Sequence, residues 1–180
     1  MKFRAMSMTI IAAAALFTTG CGIALNTQAS YDRFRDPEVA MVLRVLNLAA
    51  VREGNVARDK ATSKTVQEYA AIMANDHAQA SSHTENELGK KEIASADSDL
   101  SRQIDTDSGK VVASLRALSG PDFDRAYMDR AIAFHRYVIE TIDKTLKPAA
   151  KNKLVLTALD ENRAAAQKHL ARAEEIRKGM

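Results

Sequence analysis

KTVQEYAAIMANDHAQASSHTENEL, residues 64–88, decides the fold. Val66, Ala70, Met73, Ala80 and Leu88 recur three or four apart, or at multiples of that step, and draw one stripe along a helix of 3.6 residues per turn. His77 and Thr84 fall on the same stripe, so an ionisable ring occupies the centre of a face that must be buried. Three other segments carry the same period. Asp36-Pro37-Glu38 reads as a helix start, with Asp as cap, Pro preset in φ at the first position and Glu at the positive end of the dipole. Val39, Val42, Leu46, Ala49, Glu53, Val56 and Ala57 follow, and the helix runs to about Ala61. Thr62-Ser63 break it and can cap the next helix. A third helix restarts at Pro121 and aligns Asp124, Met128, Ala131, His135, Ile139, Ile142 and Leu146, widened by Phe123, Tyr127, Phe134 and Val138, until Pro148 ends it. The fourth runs from about Asn152 to Lys178 with Val155, Ala158, Asn162, Ala165, His169, Ala173 and Ile176. No strand-like alternation appears. Four amphipathic helices of similar length bury their stripes against one another, so the expected class is all-α, a four-helix bundle.

Residues 92–120 break this pattern. Ser95, Asp97, Ser98, Asp99, Ser101, Asp105, Asp107 and Ser108 make the stretch polar, with a short extra helix expected over Lys110–Leu118. A connection this long within a compact domain needs a reason. Register supplies one. Taking the turn at Ser63 as the top, Glu53 lies about nine residues below it and His77 about fourteen, at about 1.5 Å per residue. If the connection between helices 2 and 3 climbs the whole bundle, helix 3 starts at the top. His135 then falls level with His77, and His169 level with Glu53, in two layers about 8 Å apart. That long crossover is the ferritin-like topology.

Composition narrows the function classes. The 180 residues contain 26 Lys and Arg, 23 Asp and Glu, and one Cys. One Cys excludes an internal disulfide framework and a Cys-based zinc module. Lys2 and Arg4 precede an apolar run from Ala5 to Phe17, then Thr18-Thr19-Gly20-Cys21. This describes a secretory signal peptide over 1–20, too short and Ala-rich for a membrane span; an uncleaved anchor reaching Leu25 is the alternative. Removing Lys2 and Arg4 leaves 24 basic against 23 acidic residues, so the charge gives no reason to expect a nucleic-acid partner. Thr18-Thr19-Gly20-Cys21 resembles the lipobox of bacterial lipoproteins, with Thr18 where Leu is usual. That resemblance implies lipidation of Cys21, a membrane anchor and a tether over 21–35. Gly22 after the Cys implies the outer membrane rather than the inner one, facing the periplasm. The bundle domain then covers 36–180.

Glu53, His77, His135 and His169 fall at the centres of their own stripes, one per helix, whereas His83 lies off its stripe. Two readings stay open. One is a buried hydrogen-bonded network that fixes helix register. The other is a metal site in the bundle core, where imidazole and carboxylate suit Zn, Fe or Cu. A di-iron oxidase needs a Glu on two helices and Glu-x-x-His on two others, and Ala74 and Ala166 stand where two of those carboxylates should be. Asp76 adjoins His77 but points about 100° away, toward a flanking helix. Asp124 sits eleven residues before His135 and is expected to satisfy backbone donors or a neighbouring side chain, or to reach Arg172 or His169. With Tyr127, these two complete the supporting positions.

Glu53-Gly54-Asn55-Val56-Ala57, Tyr69-Ala70 through Met73 to Asp76-His77, Leu118-Ser119-Gly120, Phe123-Asp124-Arg125-Ala126-Tyr127, His135 and His169-Leu170 together resemble an exported bacterial family, domain of unknown function 4142, placed with the ferritin-like bundles. The resemblance spans roughly Val39 to Ile176. It implies a fold and an exported location but no activity. No Ser/His/Asp order, phosphate-cradling Gly loop or nucleotide fingerprint is present. The leading reading is a non-enzymatic envelope lipoprotein with a binding or envelope-stress role. The alternative is a periplasmic metal-binding protein using Glu53, His77, His135 and His169, and the second alternative a metal-dependent oxidase. Self-association into a homo-oligomer is left open.

Overall fold

The computed structural model describes residues 34–180. The expected signal peptide, Cys21 and the expected tether up to residue 33 lie outside the described residues. The rest is helical: α1 Asp36–Lys60, α2 Lys64–Gly89, α3 Asp99–Ala117, α4 Gly120–Thr141, a π-helical turn Ile142–Leu146 leading into α5 Lys147–Ala149, and α6 Lys153–Lys178. Among the described residues there is no strand, and no helix is long and apolar enough to cross a membrane. The fold is an all-α, ferritin-like four-helix bundle.

Two hairpins form it. α1 packs against α2, and α4 against α6. The connection between the hairpins begins at the lower end, where Ala96 N donates to Pro37 O at 3.0 Å. It ends at the upper end, where Lys60 Nζ donates to Arg116 O at 2.6 Å. It therefore travels the length of α1. Its helix starts earlier than the sequence pattern indicates, at Asp99 rather than Lys110. Ser98 is the reason: its hydroxyl accepts from Ser101 N at 3.1 Å while Ser101 Oγ accepts from Ser98 N at 2.9 Å, so both ends of the first turn are satisfied. α3 then buries Ile104 and Leu115 and lies along α1. α1 is consequently covered on two sides. Its buried positions, from Val39 through Leu43, Leu46, Asn47, Ala50 and Glu53 to Ala57, span much more than one stripe.

Two aspartates staple the hairpin turns. Asp124, at the start of α4, accepts from Thr62 N (3.0 Å), Thr62 Oγ1 (2.6 Å) and Ser63 N (2.8 Å). It thus satisfies the donors of the α1–α2 turn, the role expected of it, and Ser63 caps α2 without a side-chain bond of its own. At the opposite end Asp36 accepts from Lys151 N (2.8 Å) and Asn152 N (3.1 Å). Asp36 therefore steadies α6 rather than capping α1. The cap of α1 is Arg35, whose backbone N donates to Glu38 Oε2 at 3.0 Å. Pro148 does not end its helix at once: lacking an N–H, it is met by a π-helical turn in which Lys147 N donates to Ile142 O, and the helix continues to Ala149.

The core divides in two. The lower cluster gathers Leu43, Leu46, Val138, Ile142, Leu146 and Leu159; the upper gathers Val66, Tyr69, Met73, Phe123, Tyr127 and Met128. Each large apolar side chain so buried contributes about 1.5–3 kcal/mol. Gly54 sets the α1–α2 spacing, since a Cβ there would stand 3.0 Å from Ala70 O and 3.1 Å from Ala74 N. A layer of polar side chains, Asn47, His77, His135, Asn162 and His169, completes the interior, every one buried.

Candidate metal centre

The end of α6 marks the level of this layer. Arg177 pairs with Asp129 at 2.7 Å, so α6 stops beside the third turn of α4, short of the top of the bundle. His169 lies eight residues below Arg177, about 12 Å, and His135 six below Asp129, about 9 Å. His169 is thus drawn to the level of His135, not to that of Glu53. The ring centroids of His77 and His135 are 5.6 Å apart, those of His77 and His169 5.2 Å, and those of His135 and His169 5.3 Å. One ring nitrogen from each lies within 4.8 Å of the other two, a buried three-His cluster able to coordinate a metal ion.

Glu53 does not join that group. Its two oxygens accept from Arg130 Nε and an Arg130 terminal nitrogen, both at 2.8 Å, in a bidentate pair. Arg130 is five residues above His135, so Glu53 sits about 7.5 Å above the imidazoles. The expected pairing of His169 with Glu53 in an upper layer does not form, and Glu53 is paired with Arg130 instead. Asp76 does reach the site: its Oδ2 lies 3.1 Å from His169 Nε2. Pointing away from the His77 stripe toward α6 is what brings it there. Asp124 remains at the turn described above. Tyr127 stacks on Phe123 (6.4 Å, 9°) and meets Tyr69 edge-on at 6.2 Å in the upper cluster. Burial, with Tyr69 and the Glu53 carboxylate nearby, pushes its phenol well above the ordinary range, so it stays protonated. Tyr69 donates to the main-chain oxygen of His169 at 3.3 Å and braces α6 at this level.

The tautomers of two imidazoles follow from their partners. Asn162 Nδ2 donates to Ala158 O at 2.8 Å, which turns Asn162 Oδ1 toward Asn47. Asn47 Nδ2 donates to that oxygen at 2.9 Å and to Leu43 O at 3.1 Å. Asn47 therefore offers only its oxygen to His77 Nδ1, 2.8 Å away, and Nδ1 must carry the proton. His135 Nδ1 likewise faces a carbonyl, Ala131 O, at 2.8 Å. Both Nε2 atoms are left as bare lone pairs, and they face each other at 3.4 Å. His169 donates from Nε2 to Asp76, and its Nδ1 is buried without a hydrogen-bond partner.

Electrostatics keep the rings neutral. Burial holds His77 well below the usual imidazole range, and His135 and His169 beside it act the same way. Burial lowers His135 to about 4, against the opposing bond to Ala131 O. Burial also lowers His169, although Asp76 pulls the other way. At neutral pH the cluster presents nitrogen lone pairs with no proton among them, the form a metal requires. Asn47 and Arg130 carry much of this arrangement and escape a reading of stripes. Asn47 has a trace in the sequence, since Leu43, Asn47, Ala50 and Gly54 repeat at 4-3-4 spacing. Arg130 has none, because its helix position is that of an ordinary flanking cation.

Comparison with curated proteins and with solved structures returns no match. The model of the family described as Domain of unknown function (DUF4142) matches residues 24–176, and the chain, matched over most of its length, belongs to that family.

Proposed function

We propose that this protein is an envelope metal-binding protein that holds one transition-metal ion through His77, His135 and His169. The single observation that carries the reading is the approach of His77 Nε2 to 3.4 Å from His135 Nε2, with the Nδ1 of each ring already facing an acceptor oxygen. Two lone pairs so placed repel, and a cation held between them removes that repulsion. The separation also fits one geometry. Bonds of roughly 2.0–2.1 Å to a tetrahedral ion place its nitrogen ligands about 3.3–3.4 Å apart, whereas adjacent ligands at a right angle would stand about 2.9 Å apart. Three neutral imidazoles and a tetrahedral edge suit Zn(II) best among Zn, Fe and Cu. Each ring also donates its other N–H to an acceptor, namely Asn47, Ala131 O and Asp76, the outer arrangement that orients metal-binding His. No carboxylate belongs to the three-His group, so the donor set suits binding rather than the carboxylate-bridged iron pair of an oxidase.

The sequence of residues 1–35 supports the location. Export by the signal peptide, lipidation of Cys21 and a tether to the periplasmic face of the outer membrane would place the ion site in the envelope, with a binding or buffering role under metal stress. Elemental analysis of untagged protein purified from envelope fractions tests the reading. About one metal ion per chain, lost in His135→Ala and His169→Ala, is expected. A wild-type protein without metal overturns it. Lipid labelling that persists in Cys21→Ser overturns the anchor.

A further inference from the structure

The three imidazoles are not equivalent. His77 and His135 are fixed by acceptors deep in the core, one a buried amide chain ending on Leu43 O and Ala158 O, the other the carbonyl of Ala131. His169 is held by Asp76, whose side chain is 45% exposed. Its Nδ1 has no partner. Its helix, α6, packs less extensively against α2 than against α4, and Asp76 stands at that α2–α6 seam. His77 and His135 already stand at 3.4 Å, while the third nitrogen is placed only within 4.8 Å of them. The site therefore has two preset ligands and one that has still to close, and the closing ligand is tied to a carboxylate at the surface.

We propose that Asp76 is the residue through which a divalent cation enters this centre and which then positions His169 as the closing ligand. The exposed carboxylate collects the hydrated ion at the seam. The His169 ring, freed from Asp76, turns aside at the seam. The ion passes to the Nε2 pair of His77 and His135. His169 returns with Nδ1 toward the ion and Nε2–H again on Asp76, whose charge strengthens the imidazole as a donor. No bond other than the coordinate ones forms, and water leaves the ion in exchange.

This rests on the three-His reading and is tested so that the two separate. Metal-free full-length protein is mixed with zinc in a stopped-flow instrument against a chromophoric chelator, and release is followed into excess chelator. Asp76→Asn, which keeps an acceptor oxygen and removes the charge, is expected to slow uptake at least about tenfold and weaken affinity about 10–100-fold, with the circular dichroism and melting temperature of the metal-free protein unchanged. Asp76→Glu should restore most of the uptake rate. Glu87→Gln, a partly exposed carboxylate of α2 eleven residues away, should match wild type. Uptake by Asp76→Asn within about twofold of wild type overturns the entry role, as does weakened affinity at an unchanged uptake rate or failure of Asp76→Glu to recover. A wild-type protein that takes up no zinc overturns the three-His reading itself.

Discussion

Replacing Arg130 with Ala strands a carboxylate in the core. Glu53 has a side chain only 5% exposed, and both its oxygens rely on Arg130 at 2.8 Å. Removing one member of a buried ion pair costs about 3–5 kcal/mol, because the remaining charge stays desolvated without compensation. Arg130 is itself 29% exposed, which moves the expectation toward the lower end. Its guanidinium also lies 5.1 Å from the Phe134 ring centroid, a cation–π contact contributing about 0.5–1 kcal/mol more. A loss of about 3–4 kcal/mol follows. With an unfolding entropy of roughly 2.1 cal/mol/K per residue over about 150 ordered residues, the melting temperature should fall by about 10 °C. The double variant Glu53→Leu/Arg130→Met replaces the pair with apolar side chains of similar length and should recover to within about 1 kcal/mol of wild type. Differential scanning calorimetry of the metal-free proteins measures both. Because Glu53 lies outside the three-His group, the double variant should also bind zinc as wild type does. An Arg130→Ala melt within about 2 °C of wild type refutes the stranded-charge reasoning, and loss of zinc from the double variant refutes the separation of Glu53 from the site.

Gly54→Ala should destabilise by about 1–3 kcal/mol, since its Cβ meets main-chain atoms of α2 at 3.0 and 3.1 Å and the helices must part; a urea melt that does not shift would contradict this. Asp124→Ala should cost about 3 kcal/mol by leaving Thr62 N, Thr62 Oγ1 and Ser63 N without their acceptor, seen as faster amide exchange at the α1–α2 turn; unchanged exchange there contradicts the staple. Stability of the metal-free protein should depend on pH through the imidazoles. Above about pH 6.5 folded and unfolded chains both carry neutral rings, and stability is complete. As pH falls toward about 4, the unfolded chain takes up protons that buried His135 refuses, and stability is lost by roughly 3 kcal/mol from this ring alone, with His77 and His169 acting in the same direction. Urea melts from pH 7.5 to 5 check it, and a His135→Phe variant with the same pH slope as wild type would contradict it.

Periodicity carried the fold, because a buried helix face repeats every three or four residues whatever the details of its partners. The crossover was legible for a related reason: a polar stretch too long for a turn is explained if it climbs the bundle, and it does run along α1. Its helix was harder to read, since the Ser98–Ser101 cap lies inside a run of Ser and Asp that resembles a loop. Three of the four site positions come together, and the exception follows from one length. The level of His169 depends on where α6 ends, and the Arg177–Asp129 pair at the surface marks that end, which no stripe reports. Glu53 met its partner from a flanking position on α4, where an Arg looks solvated in sequence. The tautomers, which carry most of the chemical meaning, depend on main-chain carbonyls of Leu43, Ala131 and Ala158, groups every residue has and no side-chain pattern reveals.

The central claim is that three imidazoles share one ion. A zinc-edge X-ray absorption spectrum of the full-length protein loaded with one equivalent tests it most directly. A four-coordinate ion with three imidazole nitrogens at about 2.0–2.1 Å is expected, reduced by one imidazole in His169→Ala. A six-coordinate shell dominated by oxygen, or a spectrum that His169→Ala leaves unchanged, would contradict it.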